Sequence, residues 1–121
     1  MANYRQGRLA EEIRKLISEM MLKDLKDPRL DSMISITDVE VTKDGSYATV
    51  YLDVLDTSKD PDVKKKKEED AVEGLESASG RIRKEIGKKM HIRRTPELIF
   101  KIDRSMEYGE HIDAVIRGLG L

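Results

Sequence analysis

Residues 33–56, MISITDVEVTKDGSYATVYLDVLD, constrain the fold of this chain more than any other stretch. Two runs rich in β-branched residues flank Asp44-Gly45, a dipeptide suited to a tight hairpin turn. In the second run Ala48, Val50, Leu52 and Val54 alternate with Thr49, Tyr51 and Asp53, so one face of that strand is apolar and must be buried. The first run alternates as Ile34 and Ile36, then changes phase to Val39 and Val41. A β-bulge near Thr37-Asp38 accounts for the slip, because one extra residue sends every later side chain to the other face.

The flanking segments supply helices to cover that face. Asn3 can cap a first helix running to about Leu22, with Leu9, Ile13, Leu16, Ile17 and Met20 on one side, and Pro28 prevents its continuation. After the hairpin, Asp60 is placed to cap a second helix with Pro61 at its first position, and Val63, Ala71, Val72, Leu75 and Ala78 are expected to face inward. Lys64 to Lys67 sit at its beginning, the unfavourable end of the helix dipole for cations, and are expected to form a solvated face. A glycine costs roughly 1 kcal/mol inside a helix, so Ala78-Ser79-Gly80 predicts a kinked joint, with Ser79 capping the helix beyond it. That third helix buries Ile82, Ile86 and Met90. A third strand comes after Pro96, with Leu98, Phe100 and Ile102 on one face, and a short terminal helix is expected over about 105–119, capped by Ser105 and packing Ile112, Val115, Ile116 and Leu119. The sum is a single α+β domain over residues 1–121: helix, strand, strand, helix, helix, strand and a tail helix, with a three-stranded sheet covered on one face.

The chemistry expected of this domain is binding. The 121 residues contain no cysteine, which rules out disulfides and thiolate metal sites and suits a reducing cytosol. His91 and His111 lack metal-ligand spacing, no Gly-rich loop follows a strand, and no apolar run opens the chain, so no metal, cofactor, signal peptide or membrane span is expected. The net charge of −1 conceals a strong asymmetry. Residues 31–63 hold two basic and eight acidic side chains, whereas residues 64–94 hold eleven basic and six acidic. Arg81, Lys84 and Lys88 recur on the side of the helix opposite Ile82 and Ile86, with Arg83 and Lys89 flanking them. Such a stripe points to a phosphate backbone. With four dispersed tyrosines and one phenylalanine to stack on bases, it points to recognition of RNA shape rather than sequence.

The element order resembles the KH module in its type II arrangement, but Ala78-Ser79-Gly80 stands where that module carries its Gly-x-x-Gly loop. The substitution is similar to the Ala-x-Gly kink of the bacterial ribosome-binding factor A family. Further matches to that family are Arg5 to Leu9, Leu25-Lys26-Asp27-Pro28-Arg29, Thr37 to Val41 with Asp44, Ala48 to Tyr51, Arg93 to Leu98 and Asp103-Arg104-Ser105. The resemblance implies a non-enzymatic, cytoplasmic assembly factor. Such a factor binds the small (30S) ribosomal subunit and its 16S rRNA late in maturation and rRNA processing, and matters most in the cold. The rRNA-binding set expected on this basis is Arg5, Arg8, Ser79, Gly80, Arg81, Arg83, Lys84, Lys88, Lys89, Arg93 and Arg94. Small-subunit proteins and other assembly factors are further expected partners of a monomer. Two other readings fit the same residues: an adaptor whose acidic hairpin docks on a basic ribosomal protein, and a general single-stranded RNA-binding module.

Overall fold

A computed structural model of the chain describes residues 6–30, 33–56 and 59–105. Helix α1 spans Gln6–Lys23, strands β1 and β2 span Met33–Val41 and Tyr47–Leu55, helices α2 and α3 span Pro61–Ser77 and Ser79–Met90, and strand β3 spans Glu97–Ile102. A 3-10 turn at Pro28–Leu30 links α1 to β1. The order is the expected one. The Asn3 cap and, Ser105 apart, the terminal helix lie outside the described residues.

The sheet order is β1-β2-β3, with β1 antiparallel and β3 parallel to β2. A parallel neighbour needs a long crossover, and the α2–α3 pair provides it. The slip in the first strand is real. Ile36 pairs with Leu52 and Asp38 with Tyr51, so Thr37 is the extra residue. The turn residue Gly45 has φ +74, which explains a glycine there. Ala48, Val50, Leu52, Val54, Ile36, Val39 and Phe100 are buried, together with Leu9, Ile13, Leu16, Ile17 and Met20 of α1 and Ala71, Leu75, Ile82, Ile86 and Met90 of the other helices. All three helices therefore cover one face of the sheet.

Helix α2 begins as its sequence dictates, with the Asp60 carboxylate accepting the Asp62 N–H at 2.9 Å and Pro61 at the first turn. Its inward line differs from the expected one. Glu68, Ala71, Gly74 and Leu75 are buried, whereas Val63 is exposed. Val63 lies one position off the line that runs through residues 64, 68, 71 and 75, and a carboxylate occupies a place on that line that an apolar residue would ordinarily fill. Arg104 meets that carboxylate at 3.3 Å.

The joint also differs in detail. Ala78 (φ −90, ψ −1) makes the break. It donates its N–H to the Gly74 and Leu75 carbonyls while its own carbonyl accepts from Ile82 at 2.9 Å. Ser79 is the first residue of α3 and gives no capping bond. Gly80 is helical without a positive φ, and a Cβ there would meet nothing within 4 Å. The fold thus does not need a glycine at position 80, and Gly80→Val is not expected to change the interhelical angle. The most tightly enclosed glycine among the described residues is Gly74, where a Cβ would stand 2.9 Å from Leu30 Cδ2, 3.1 Å from Leu30 Cγ and 3.3 Å from Arg29 Cβ. Opposite shifts are expected in thermal unfolding. Gly80→Ala should stabilise by up to about 1 kcal/mol, from helix propensity alone. Gly74→Leu should destabilise by roughly 2 kcal/mol, because the Pro28–Leu30 turn must move to admit it. Equal melting temperatures for the two variants would contradict this assignment.

Candidate nucleic-acid interface

Helix α3 turns its sides to three different tasks. Ile82, Ile86 and Met90 enter the core. Arg83 donates from Nε to the Pro96 carbonyl at 3.0 Å and from its terminal nitrogen to the Thr95 carbonyl at 3.1 Å, and lies 3.5 Å from Glu97. Arg81, Lys84, Lys88 and Lys89 are exposed. From Arg81 to Lys88 the stripe runs about 10 Å along the helix axis. The single acid on α3, Glu85, is 3.8 Å from Lys88, a contact too long and too exposed to neutralise the stripe.

At its N-terminal end the stripe adjoins a cleft of about 490 Å³ beneath the joint, lined among others by Leu25, Lys26, Pro28, Ser77, Ala78 and Arg81. Arg81 donates to the Asp24 carbonyl at 3.3 Å, which ties the start of α3 to the end of α1. Lys26 is exposed on the rim of this cleft. Sequence reasoning passed over Lys26 as a binding residue because it lies more than fifty positions from α3. Arg29, close by in the chain, is committed to the fold: it pairs with Asp27 at 2.6 Å and donates to the Ser77 hydroxyl at 3.0 Å. The bond to Asp27 holds the Asp27 carboxyl below its ordinary pKa and the Arg29 guanidinium above its own.

The other expected residues divide. Ser79 and Gly80 open α3 beside Arg81, and the open space over Gly80 leaves its backbone approachable. Arg93 and Arg94 are exposed in the loop after the left-handed residue His91 (φ 47) at the end of α3. Arg8 is exposed on α1, and Arg5 lies outside the described residues. The lysine run divides: Lys65 and Lys66 are exposed, as expected of a solvated face, with Lys66 paired to Asp70 at 3.1 Å, whereas Lys67 is half-buried and meets Asp56 at 3.0 Å. Among the described residues there is no group of three metal-ligating side chains, and no helix is long and apolar enough to cross a membrane.

The hairpin turn next to Arg94 has its own electrostatics. Asp44 accepts from Ser46 and from the Thr42 hydroxyl at 2.9 Å, and these bonds, with a smaller pull from Arg94, hold its carboxyl at about 2, against an ordinary 3.8. Because the folded pKa is the lower one, the stabilisation is present above about 4 and is lost as the pH falls through about 2. Carbon-13 NMR titration of the Asp44 carboxyl should give a midpoint near 2. A midpoint near 4 would show that the turn does not hold the anion.

A helix pair crossing over a three-stranded sheet, with cations exposed along one helix and on the rim beside the joint, defines a small α+β module with an open, cationic surface. The model of the family described as ribosome-binding factor A matches residues 5–116. The chain belongs to the ribosome-binding factor A family. It is 49% identical over 117 residues to ribosome-binding factor A of Clostridium beijerinckii, covering 97% of this chain and 94% of that protein. The crystal structure of ribosome-binding factor A from Thermus thermophilus is similar with a TM-score of 0.66 at 25% identity, over 84% of this chain and all of that one. A homology model of the Thermus thermophilus factor, fitted into a cryo-electron-microscopy map of a 30S–ribosome-binding factor A complex, shares the fold, with a TM-score of 0.59 at 23% identity over 82% of this chain and 96% of that one.

Proposed function

We propose that this protein binds the small (30S) ribosomal subunit during late maturation, in the cytoplasm, and does so by laying α3 against 16S rRNA phosphates. The observation that carries this reading is the exposed row of Arg81, Lys84 and Lys88 beside an open helix joint, with Lys26 on the rim of the adjoining cleft. Family membership supports it, as does the 30S complex described for the Thermus relative. Lys89, Arg93 and Arg94 extend the contact past the end of α3, and Ser79 and Gly80 offer backbone N–H groups at its start. Arg83 serves mainly to fix α3 against the chain entering β3. The factor acts by binding.

Phosphate contacts release counterions, so affinity should fall steeply with salt. For three contacts, a fourfold rise in salt should weaken co-sedimentation with purified subunits by roughly fifteen- to sixty-fold. Pelleting that is insensitive to salt, or absent from both mature and precursor particles at low salt, overturns the reading. Gly80→Val gives a second check: it should leave the fold intact, since its side chain meets open space, yet weaken subunit binding by crowding the approach to the backbone.

A further inference from the structure

The chain leaves the sheet through a fixed point. Asp103 prolongs β3 by donating its N–H to the Leu52 carbonyl at 2.7 Å, and its side chain reaches across β2 to accept from the Thr37 hydroxyl at 2.6 Å. The same carboxylate accepts the Ser105 N–H at 2.9 Å, the bond of a helix cap, and Ser105 is itself helical. Asp103, not Ser105, is therefore the cap at this point. Beside it lies a groove of about 570 Å³ that wraps round the start of β1, from Met21 and Leu22 on α1 to Asp53 and Leu55 on β2. Leu22, Met33 and Leu55 all line it, and at 86%, 70% and 55% they are the three most exposed large apolar side chains among the described residues. Such a cluster marks a contact surface. Ile102 pairs with Leu52, and Asp53 pairs with Ser35, so Asp103 stands about 5 Å from Asp53 and about 10 Å from Ser35, another residue of the groove.

We infer that residues 106–121 fold back as a helix and lay an apolar face in this groove. Tyr108, Ile112, Val115, Ile116 and Leu119 recur at the spacing of one helix face, and Glu107, Glu110, Asp113 and Arg117 fall on the opposite one. As a helix the segment is about 24 Å long, more than twice the distance from Asp103 to Ser35. Other placements fit less well. The second groove near the cap, between α2 and β3, is edged by Glu68, Glu69 and Glu73, which would repel the three acids of the segment. The larger groove carries one acid, Asp53, and one cation, Arg14, which is paired with Glu11. Residues 1–5 precede the far end of α1, about 24 Å from Leu22, and five extended residues span only about 17 Å. This surface is separate from the cations of α3, so the inference stands or falls independently of the rRNA reading.

The test is NMR spectroscopy of the methyl-labelled full chain. Nuclear Overhauser contacts are expected between the methyls of Ile112, Val115 or Leu119 and those of Leu22, Met33 or Leu55, unchanged on dilution. Leu22→Lys and Ile116→Lys should each lower the melting temperature by roughly 5 °C or more, and the double variant by little more than the larger single effect, because both break one contact. On an open groove Leu22→Lys, at a position 86% exposed, would move it by less than about 2 °C. A neutral Leu22→Lys, fully additive effects or the absence of these methyl contacts would overturn the proposal. So would contacts to Val72 and Ile102 in their place, or contacts that an isotope-filtered mixture of labelled and unlabelled chains assigns to a second copy.

Discussion

Replacing Arg81, Lys84 and Lys88 together with glutamate will abolish co-sedimentation with small subunits, at least a hundredfold loss, while the melting temperature moves by only a few degrees. The magnitude comes from the change of six charge units on one helix face. Each lost phosphate contact removes its counterion release, and each new carboxylate adds repulsion. The fold survives because these side chains are exposed, and the core face of α3 (Ile82, Ile86 and Met90) is untouched. Arg81 alone has a second task, its bond to the Asp24 carbonyl, so the pair Lys84→Glu and Lys88→Glu should be made in parallel. Retained pelleting in both variants would remove α3 from the interface.

Lys67→Met is expected to be the most damaging single change among the lysines of α2. The Asp56 side chain is only 2% exposed and meets the Lys67 ammonium at 3.0 Å. Removing one partner leaves a carboxylate poorly solvated, which costs on the order of 2–3 kcal/mol when the surviving charge keeps other contacts. For a domain of this size that is a drop of roughly 10 °C in melting temperature. Lys65→Met, an exposed neighbour, should move it by less than about 2 °C. If the two variants melt together, the Lys67–Asp56 pair contributes nothing to the fold.

How much of this was legible in the sequence depended on range. The hairpin, its bulge at Thr37 and the Asp60-Pro61 helix start were readable because each is decided within a few residues. The stripe on α3 was readable for the same reason, since its period is that of the helix. What was not legible is what the chain brings together from afar. Glu68 faces inward because Arg104, 36 positions away, meets it. Arg83 looked like one more surface cation until the carbonyls of Thr95 and Pro96 were placed beside it. Lys26 reached the rim of the joint cleft only through the tertiary fold. The two glycines exchange roles on the same grounds: Gly74 is fixed by a contact with Leu30 that no local pattern announces, whereas Gly80 sits in open space.

The bonds from Arg83 to the Thr95 and Pro96 carbonyls, with that from Arg81 to Asp24, hold α3 at both flanks against parts of the chain that do not themselves carry the stripe. The spacing of the exposed cations is therefore set before any partner arrives. On the proposed reading little backbone freedom would be surrendered on contact, and the ordering cost that remains would be that of the lysine and arginine side chains themselves. On the proposed reading, a helix anchored in this way would also work as a gauge, fitting rRNA whose phosphates already stand at matching intervals.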